Sequence, residues 1–180
     1  ELAEKELFKL FDYQFREEFH FEYSSGYSEK DENKAKQLIK TEIKNLLFEY
    51  SPSKVYCILY QGVKKAVTHK QKYGMTHYRD NQVQFVISYG IKSWLKYNEE
   101  RISDYDYPWT SEMSLVSTLF FKNILQNDEW FYNLIPIDKV EIIEQDFMEY
   151  FCGLSREKQL LLLEKLSLIS EYSLLWEETD

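Results

Sequence analysis

Apolar residues recur every three to four positions along most of this 180-residue chain, which is the spacing of amphipathic helices. Seven segments show it, starting near residues 1, 29, 52, 80, 110, 138 and 155. The third has the clearest limits, because Ser51 and Pro52 suit the first positions of a helix and Gly74 suits its end. The pattern predicts a mainly α protein, a compact bundle of about six to seven helices.

Two segments depart from the helical pattern. Apolar and polar residues alternate over 19–23 before a Ser/Gly-rich turn at 24–27, so one short β-hairpin is an alternative there. Residues 103–109, Ser-Asp-Tyr-Asp-Tyr-Pro-Trp, have the composition of a long loop. We predict a single domain over residues 1–180, with any sub-division near 103–110.

The fifth helical segment illustrates how the pattern assigns buried positions. It is expected to open at Thr110 or Ser111. Helical spacing then places six apolar residues on one inward face. These are Met113, Leu115, Val116, Leu119, Phe120 and Ile124.

Composition narrows the class of protein. Fifteen Tyr, twelve Phe and four Trp predict a core filled largely by rings, whereas five Gly and three Pro argue against Gly-rich phosphate loops. Cys57 and Cys152 are expected to be free, buried thiols of a reducing compartment. No apolar run reaches the roughly 18 residues that span a bilayer, so we predict a cytoplasmic protein without membrane contact.

Charge is unevenly distributed around a formal net value of -9. Between Tyr50 and Arg79 there is no carboxylate. Twelve cations face four acids from Glu32 to Asn98, and six cations face eighteen acids from Glu99 to Asp180. A basic N-terminal half attracts phosphate or acidic partners, and an acidic C-terminal half attracts basic ones.

The lysines of the third helix gather opposite its apolar arc at about 100° per residue. Such a stripe could neutralise phosphates, while nearby rings, Tyr56 and Tyr60 among them, could stack on unpaired bases. A solubilising surface with no ligand is the alternative. The candidate contacts for nucleic acid or an acidic partner are Lys54, Lys64, Lys65, Lys72, Tyr73, His77 and Arg79.

Carboxylates suggest a separate surface for a protein partner. Asp104 and Asp106 form a compact acidic–aromatic cluster on the predicted loop, and Glu141 and Glu144 share one face of the sixth helix. A merely solvated acidic face is the alternative. The last helix is apolar around most of its circumference, including Leu160 to Leu163, so it belongs either to the core or to a homodimer interface.

Catalytic and metal-binding motifs are missing from the sequence. The three histidines lack metal-ligand spacing, and there is no CxxC, Walker A, GxGxxG or GxSxG motif. A Cys57 nucleophile activated by a histidine is less favoured than a cysteine of the core. We therefore predict no metal, no cofactor and no catalytic residues, and an enzyme such as a metal-dependent nuclease is the least favoured class.

These features predict a non-enzymatic binding protein that inhibits or modulates a nucleic-acid-processing machine. Its basic helix would approach nucleic acid, and its acidic half would contact a basic groove of the machine's protein component. Small charge-polarised inhibitors from phages and mobile elements, such as anti-CRISPR and anti-restriction proteins, act in this way as a class. Two alternatives stay open: an immunity protein or antitoxin that neutralises a cationic toxin, and a DNA- or RNA-binding regulator.

Overall fold

The computed structural model describes residues 1–23, 29–74, 82–108, 111–134 and 137–162, with the side chains of residues 29 and 137–143 outside the description. All regular secondary structure in these ranges is helical, so the prediction of a mainly α fold is confirmed. Residues 19–23 form no strand, and the turn predicted at 24–27 lies outside the described residues.

The helices follow one another along the chain with three π-helical turns, π1 to π3, continuing some of them. A short 3-10 turn, Glu99–Arg101, follows α5, and residues 156–162 are again helical. The bounds are α1 Leu2–Asp12, π1 Tyr13–Glu18, α2 Glu29–Leu47, α3 Pro52–Tyr73, α4 Gln82–Phe85, π2 Val86–Lys92, α5 Ser93–Asn98, α6 Leu115–Thr118, π3 Leu119–Ile124 and α7 Ile137–Gly153.

The chain divides into two compact units. The larger contains residues 3–111 and 129–135, and the smaller contains 1–2, 112–128 and 136–180. The first boundary follows the irregular segment expected to mark a sub-division, but residues 129–135 return to the larger unit. The prediction of one domain over the whole chain stays a prediction.

Helix α3 is the central element of the larger unit. Its apolar arc is buried at Val55, Ile58, Leu59, Val63 and Ala66, and Gly74 ends the helix with φ +75°, a conformation that glycine adopts without strain. Ser51 occupies the N-cap position but does not cap with its side chain. Its hydroxyl instead lies 3.3 Å from that of Ser53 and 3.4 Å from Asp104 Oδ1, so the predicted side-chain cap is wrong.

Two glycines allow α3 and π2 to cross in backbone contact. A Cβ atom built on Gly62 would lie 2.9 Å from Ile91 Cα, and one built on Gly90 would overlap the carbonyl oxygen of Gly62. Only hydrogen atoms fit between the two backbones at this point. Because α3 and π2 lie this close, the side chains that flank the crossing on both helices are brought together.

The smaller unit has an aromatic core in which Phe120 and Phe147 lie 5.7 Å apart between ring centroids. Ser114 is the N-cap of α6, since its hydroxyl oxygen accepts a hydrogen bond from the Ser117 backbone amide. The fifth helical segment therefore begins later than the predicted Thr110 or Ser111. The predicted inward positions Leu115 and Ile124 are exposed. Turn π3 adds a residue to the helical period and brings Phe121 into the core instead.

The end of the described chain is also more exposed than a core helix would be. Leu160 and Leu161 are largely accessible to solvent, and residues 163–180 lie outside the description. The alternatives of core helix and homodimer interface therefore stay predictions. None of the helices within the described ranges is both long and apolar enough to cross a membrane.

Candidate nucleic-acid interface

The predicted lysine stripe of α3 is divided by packing. Lys64 and Lys72 are exposed, whereas Lys54 and Lys65 are partly buried. The Nζ atom of Lys65 donates a hydrogen bond to Ser93 Oγ at 2.8 Å, and burial lowers the pKa of this ammonium group. Lys65 is therefore held against α5, whereas Lys64 and Lys72 stay in solvent.

The rings expected beside that stripe also have other roles. Tyr56 is buried and accepts a hydrogen bond from Gln14 Nε2 at 3.2 Å, so it is not available for stacking on a base. Tyr60 is partly buried and packs against Phe19 and Tyr105. The candidates His77 and Arg79 lie outside the described residues.

A continuous row of rings and ammonium groups joins the C-terminal half of α3 to π2 and α5. Ring centroids lie 4.9 Å apart for Tyr73 and His69 and 4.2 Å apart for His69 and Tyr89. Lys65 Nζ lies 5.5 Å from the centroid of Tyr89 and 5.8 Å from that of Tyr97. We call this surface the tyrosine–lysine face, and its residues are Lys65, His69, Lys72, Tyr73, Tyr89, Lys96 and Tyr97.

The tyrosine rings of this row are exposed to solvent, so the row forms a surface and is not part of the core. Tyr73 and Tyr97 are 64% and 66% exposed, and Tyr89 is 36% exposed. At each end an exposed lysine lies near its neighbouring ring: Lys72 Nζ is 5.0 Å from the centroid of Tyr73, and Lys96 Nζ is 5.4 Å from that of Tyr97. Contacts of this kind are worth about 0.5–1 kcal/mol at exposed sites and hold the ammonium groups beside the rings.

The face lies on helices without acidic residues. Residues 50–74 and 82–98 contain seven lysines and no carboxylate. Desolvation lowers the pKa of Lys65. The positive potential of this surface is therefore not cancelled by its own helices, and an anion would meet neutral rings between ammonium groups.

Tyr89, Lys96 and Tyr97 were missed by sequence reasoning. The signal was the four-residue spacing of Phe85, Tyr89, Ser93 and Tyr97, together with the Lys-Tyr dipeptide at 72–73 and again at 96–97. The four-residue spacing indicates that Phe85, Tyr89, Ser93 and Tyr97 share one face of a helix. It did not show that this face borders α3.

The acidic loop predicted as a partner surface is tied into the larger unit. Asp104 Oδ1 accepts a short hydrogen bond from Ser53 Oγ at the start of α3, and Asp106 Oδ1 accepts one from Tyr132 Oη at 2.8 Å. The adjacent Tyr107 donates to Glu6 Oε2 at 2.9 Å. Asp104 and Asp106 are exposed but also hold the loop in place.

Glu144 does not lie on an exposed acidic face. It is buried in the smaller unit, where its Oε1 atom accepts a hydrogen bond from the Leu2 backbone amide at 2.8 Å. This carboxylate is used inside the fold, and the protein contact predicted at this residue stays a prediction. The side chain of Glu141 is outside the described part of the chain.

The other chemical groups occupy separate surroundings. Both cysteines are free, with Cys57 in the core; Cys152 is exposed, which corrects its predicted burial. The described residues contain no group of three or more His, Cys, Asp or Glu side chains that could hold a metal ion.

No protein-family model, no curated protein and no solved structure matches this chain.

Proposed function

We propose that this is a non-enzymatic binding protein that inhibits or modulates a nucleic-acid-processing machine, and that its tyrosine–lysine face contacts unpaired nucleic acid. The observation that carries the proposal is the row of exposed rings Tyr73, Tyr89 and Tyr97. Each of these rings has a lysine ammonium group beside it, on helices that contain no carboxylate. No catalytic group is needed, since binding by itself would obstruct the strand.

Stacking and charge would act together on this face. Each unpaired base has a π-face, and stacking on an aromatic side chain is worth about 1–3 kcal/mol per base irrespective of sequence. Lys72 and Lys96 stand at the two ends of the row, where they would reach the phosphates between stacked bases. Duplex DNA hides its bases in the stack, so this surface favours single strands, loops and ends.

The acidic C-terminal half supports the second part of the proposal. From Glu99 to Asp180, acids outnumber cations eighteen to six, which repels phosphate and attracts a basic protein surface. A protein with this polarity suits a nucleoprotein target, whose nucleic acid and basic groove lie side by side. An immunity protein acting through Asp104, Asp106 and Glu144 has less support, because all three carboxylates accept hydrogen bonds within the fold.

The test is binding of a fluorescein-labelled 20-nucleotide single strand, followed by fluorescence anisotropy. Replacing Tyr73 and Tyr97 with Ala removes two stacking rings worth at least about 2 kcal/mol together, so we expect affinity to fall about 30-fold or more. The matched control replaces Tyr13 and Tyr150, which are exposed elsewhere, and should change affinity less than twofold.

Three results would count against the proposal. Equal losses in the two tyrosine pairs would remove the tyrosine–lysine face as the contact. Absence of binding by the unaltered protein would remove the nucleic-acid function itself. Cleavage of the labelled strand in the presence of Mg²⁺ would contradict a non-enzymatic role.

A further inference from the structure

A second surface of the larger unit lies between α2 and the helix formed by α4 and π2. It is an open groove of about 980 Å³, lined mainly by residues with polar side chains. The residues whose chemistry matters here are Lys30, Lys34, Gln37 and Asn45 on one wall and Gln84 and Lys92 on the other.

The groove carries an excess of positive charge. Glu42 is the acid that lines it within the described residues, and Lys92 Nζ lies 3.4 Å from its Oε2 atom. That pair neutralises itself. Lys30 and Lys34 are both exposed, and four residues of helix separate them by about 6 Å. Lys30 and Lys34 together place two positive charges at one end of the groove.

Amide side chains are also among the lining residues. Gln37 and Asn45 are exposed on α2, whereas Gln84 on the opposite wall is partly buried and donates a hydrogen bond from Nε2 to Ser88 Oγ at 2.8 Å, so Gln37 and Asn45 are the amides that face solvent. An amide offers a donor and an acceptor side by side, which is the pattern that pairs with the edge of a base such as adenine. Lysines beside amides are typical of surfaces that hold phosphates and contact base edges together.

The groove and the tyrosine–lysine face border the same helix. Gln84 and Lys92 line the groove, whereas Tyr89 and Tyr97 lie on the face. A strand that stacks on Tyr89 therefore has Lys92 less than one helical turn away. From Lys30 to Asn45 the groove follows α2 for about 22 Å.

We infer that this groove binds a second stretch of the same single-stranded nucleic acid, with Lys30 and Lys34 on its phosphates and the amides on its base edges. The inference rests on the proposed function and adds the path that the nucleic-acid strand would follow over the surface. Strands long enough to leave the tyrosine–lysine face would enter the groove over the helix that separates them. Strands too short to do so would bind the tyrosine–lysine face alone.

The experiment compares a 20-nucleotide strand with a 6-nucleotide strand on the full chain. The variant Lys30→Glu with Lys34→Glu should weaken binding of the long strand at least tenfold and lower its salt slope by about 1.4, at about 0.7 for each phosphate that is no longer neutralised. Its control is Lys122→Glu with Lys158→Glu, two exposed lysines of the smaller unit, which changes net charge equally. The short strand should bind the groove variant and the control alike.

A charge-neutral variant separates base contacts from phosphate contacts. Gln37→Ala with Asn45→Ala should weaken the long strand about threefold to tenfold and leave its salt slope unchanged. Unchanged affinity here would overturn the assignment of base edges to the amides.

The outcomes also separate the groove from the proposed function. Suppose that removal of Tyr73 and Tyr97 abolishes binding while the groove variant binds as its control does. This result would overturn the inference about the groove and keep the proposed function. No binding by the unaltered protein overturns both. A groove effect as large on the short strand as on the long one contradicts the path described here.

Discussion

Replacing Gly90 with alanine would force a methyl group into the backbone of α3. The new Cβ atom would overlap the carbonyl oxygen of Gly62 and lie 3.0 Å from its carbonyl carbon. Neither atom can move by a change of rotamer, so the two helices must separate at the point where they approach most closely. Gly62→Ala meets the same obstacle from the other side, with Ile91 Cα at 2.9 Å.

The size of the effect follows from two opposing contributions. An extra methyl group in a packed interior usually costs about 1–3 kcal/mol, and a rigid backbone neighbour places this case at the upper end. Alanine returns up to about 1 kcal/mol through its better helix propensity. We expect Gly90→Ala to lower the free energy of unfolding by about 2 kcal/mol, or the Tm by about 4–8 °C for a chain of this size.

Urea unfolding followed by circular dichroism measures the loss, and two further glycines serve as controls. Gly153 ends α7 with no atom of the described residues within 4 Å of an added Cβ, so Gly153→Ala should leave stability unchanged or slightly raised. Gly74 also has open space among the described residues, but its φ of +75° and ψ of −176° lie in a region that is essentially restricted to glycine, so its replacement should cost about 1–3 kcal/mol from backbone strain alone. Gly90→Ala as stable as Gly153→Ala would refute the backbone crossing.

Three further predictions concern buried polar groups and thiols. Tyr107→Phe removes the hydrogen bond to the buried Glu6 carboxylate and should cost about 1.5–3 kcal/mol in urea unfolding. Burial raises the pKa of Tyr56 to about 12. An unfolded tyrosine ionises near 10, so the contribution of Tyr56 to stability should be full below pH 10 and fall by up to about 3 kcal/mol by pH 12. A thiol-reactive probe should label Cys152 at once and Cys57 only after unfolding.

Each of these has a matched comparison. Tyr132 donates a similar hydrogen bond to an exposed carboxylate, so Tyr132→Phe should cost less than about 1 kcal/mol, and equal losses would show that burial of Glu6 has no effect. Tyr56→Phe should make the alkaline decline smaller by that contribution, whereas the exposed Tyr13→Phe should leave it unchanged, and burial of Tyr107, which also raises its pKa, accounts for part of what remains. Equal labelling rates for the two thiols would contradict the burial of Cys57.

Local signals in the sequence were sufficient for α3. Pro52 and Gly74 mark its two ends, and the apolar arc between them is the arc that the fold buries. Each of these signals acts within one or two helical turns, so no distant contact was needed to read it. In the helix that contains Leu115 and Ile124 the same reasoning failed, because a late cap and a π-helical turn changed which side faces the core.

The candidate interface could be predicted only in part. The sequence placed Lys64, Lys65 and Lys72 together with Tyr73 on one helix and showed that no acid accompanies them. It did not show that Lys65 would bond to Ser93, since the two residues are 28 positions apart and meet through packing.

By itself, therefore, the sequence determined the helical class, the limits of α3 and the separation of charge along the chain. Tertiary structure alone decided which side chains of different helices become neighbours: Tyr89 beside His69, and Glu144 in the interior. The physical reason is that helical periodicity is a property of consecutive residues. The approach of α3 to π2 depends instead on two glycines, Gly62 and Gly90, whose missing side chains leave no periodic signal.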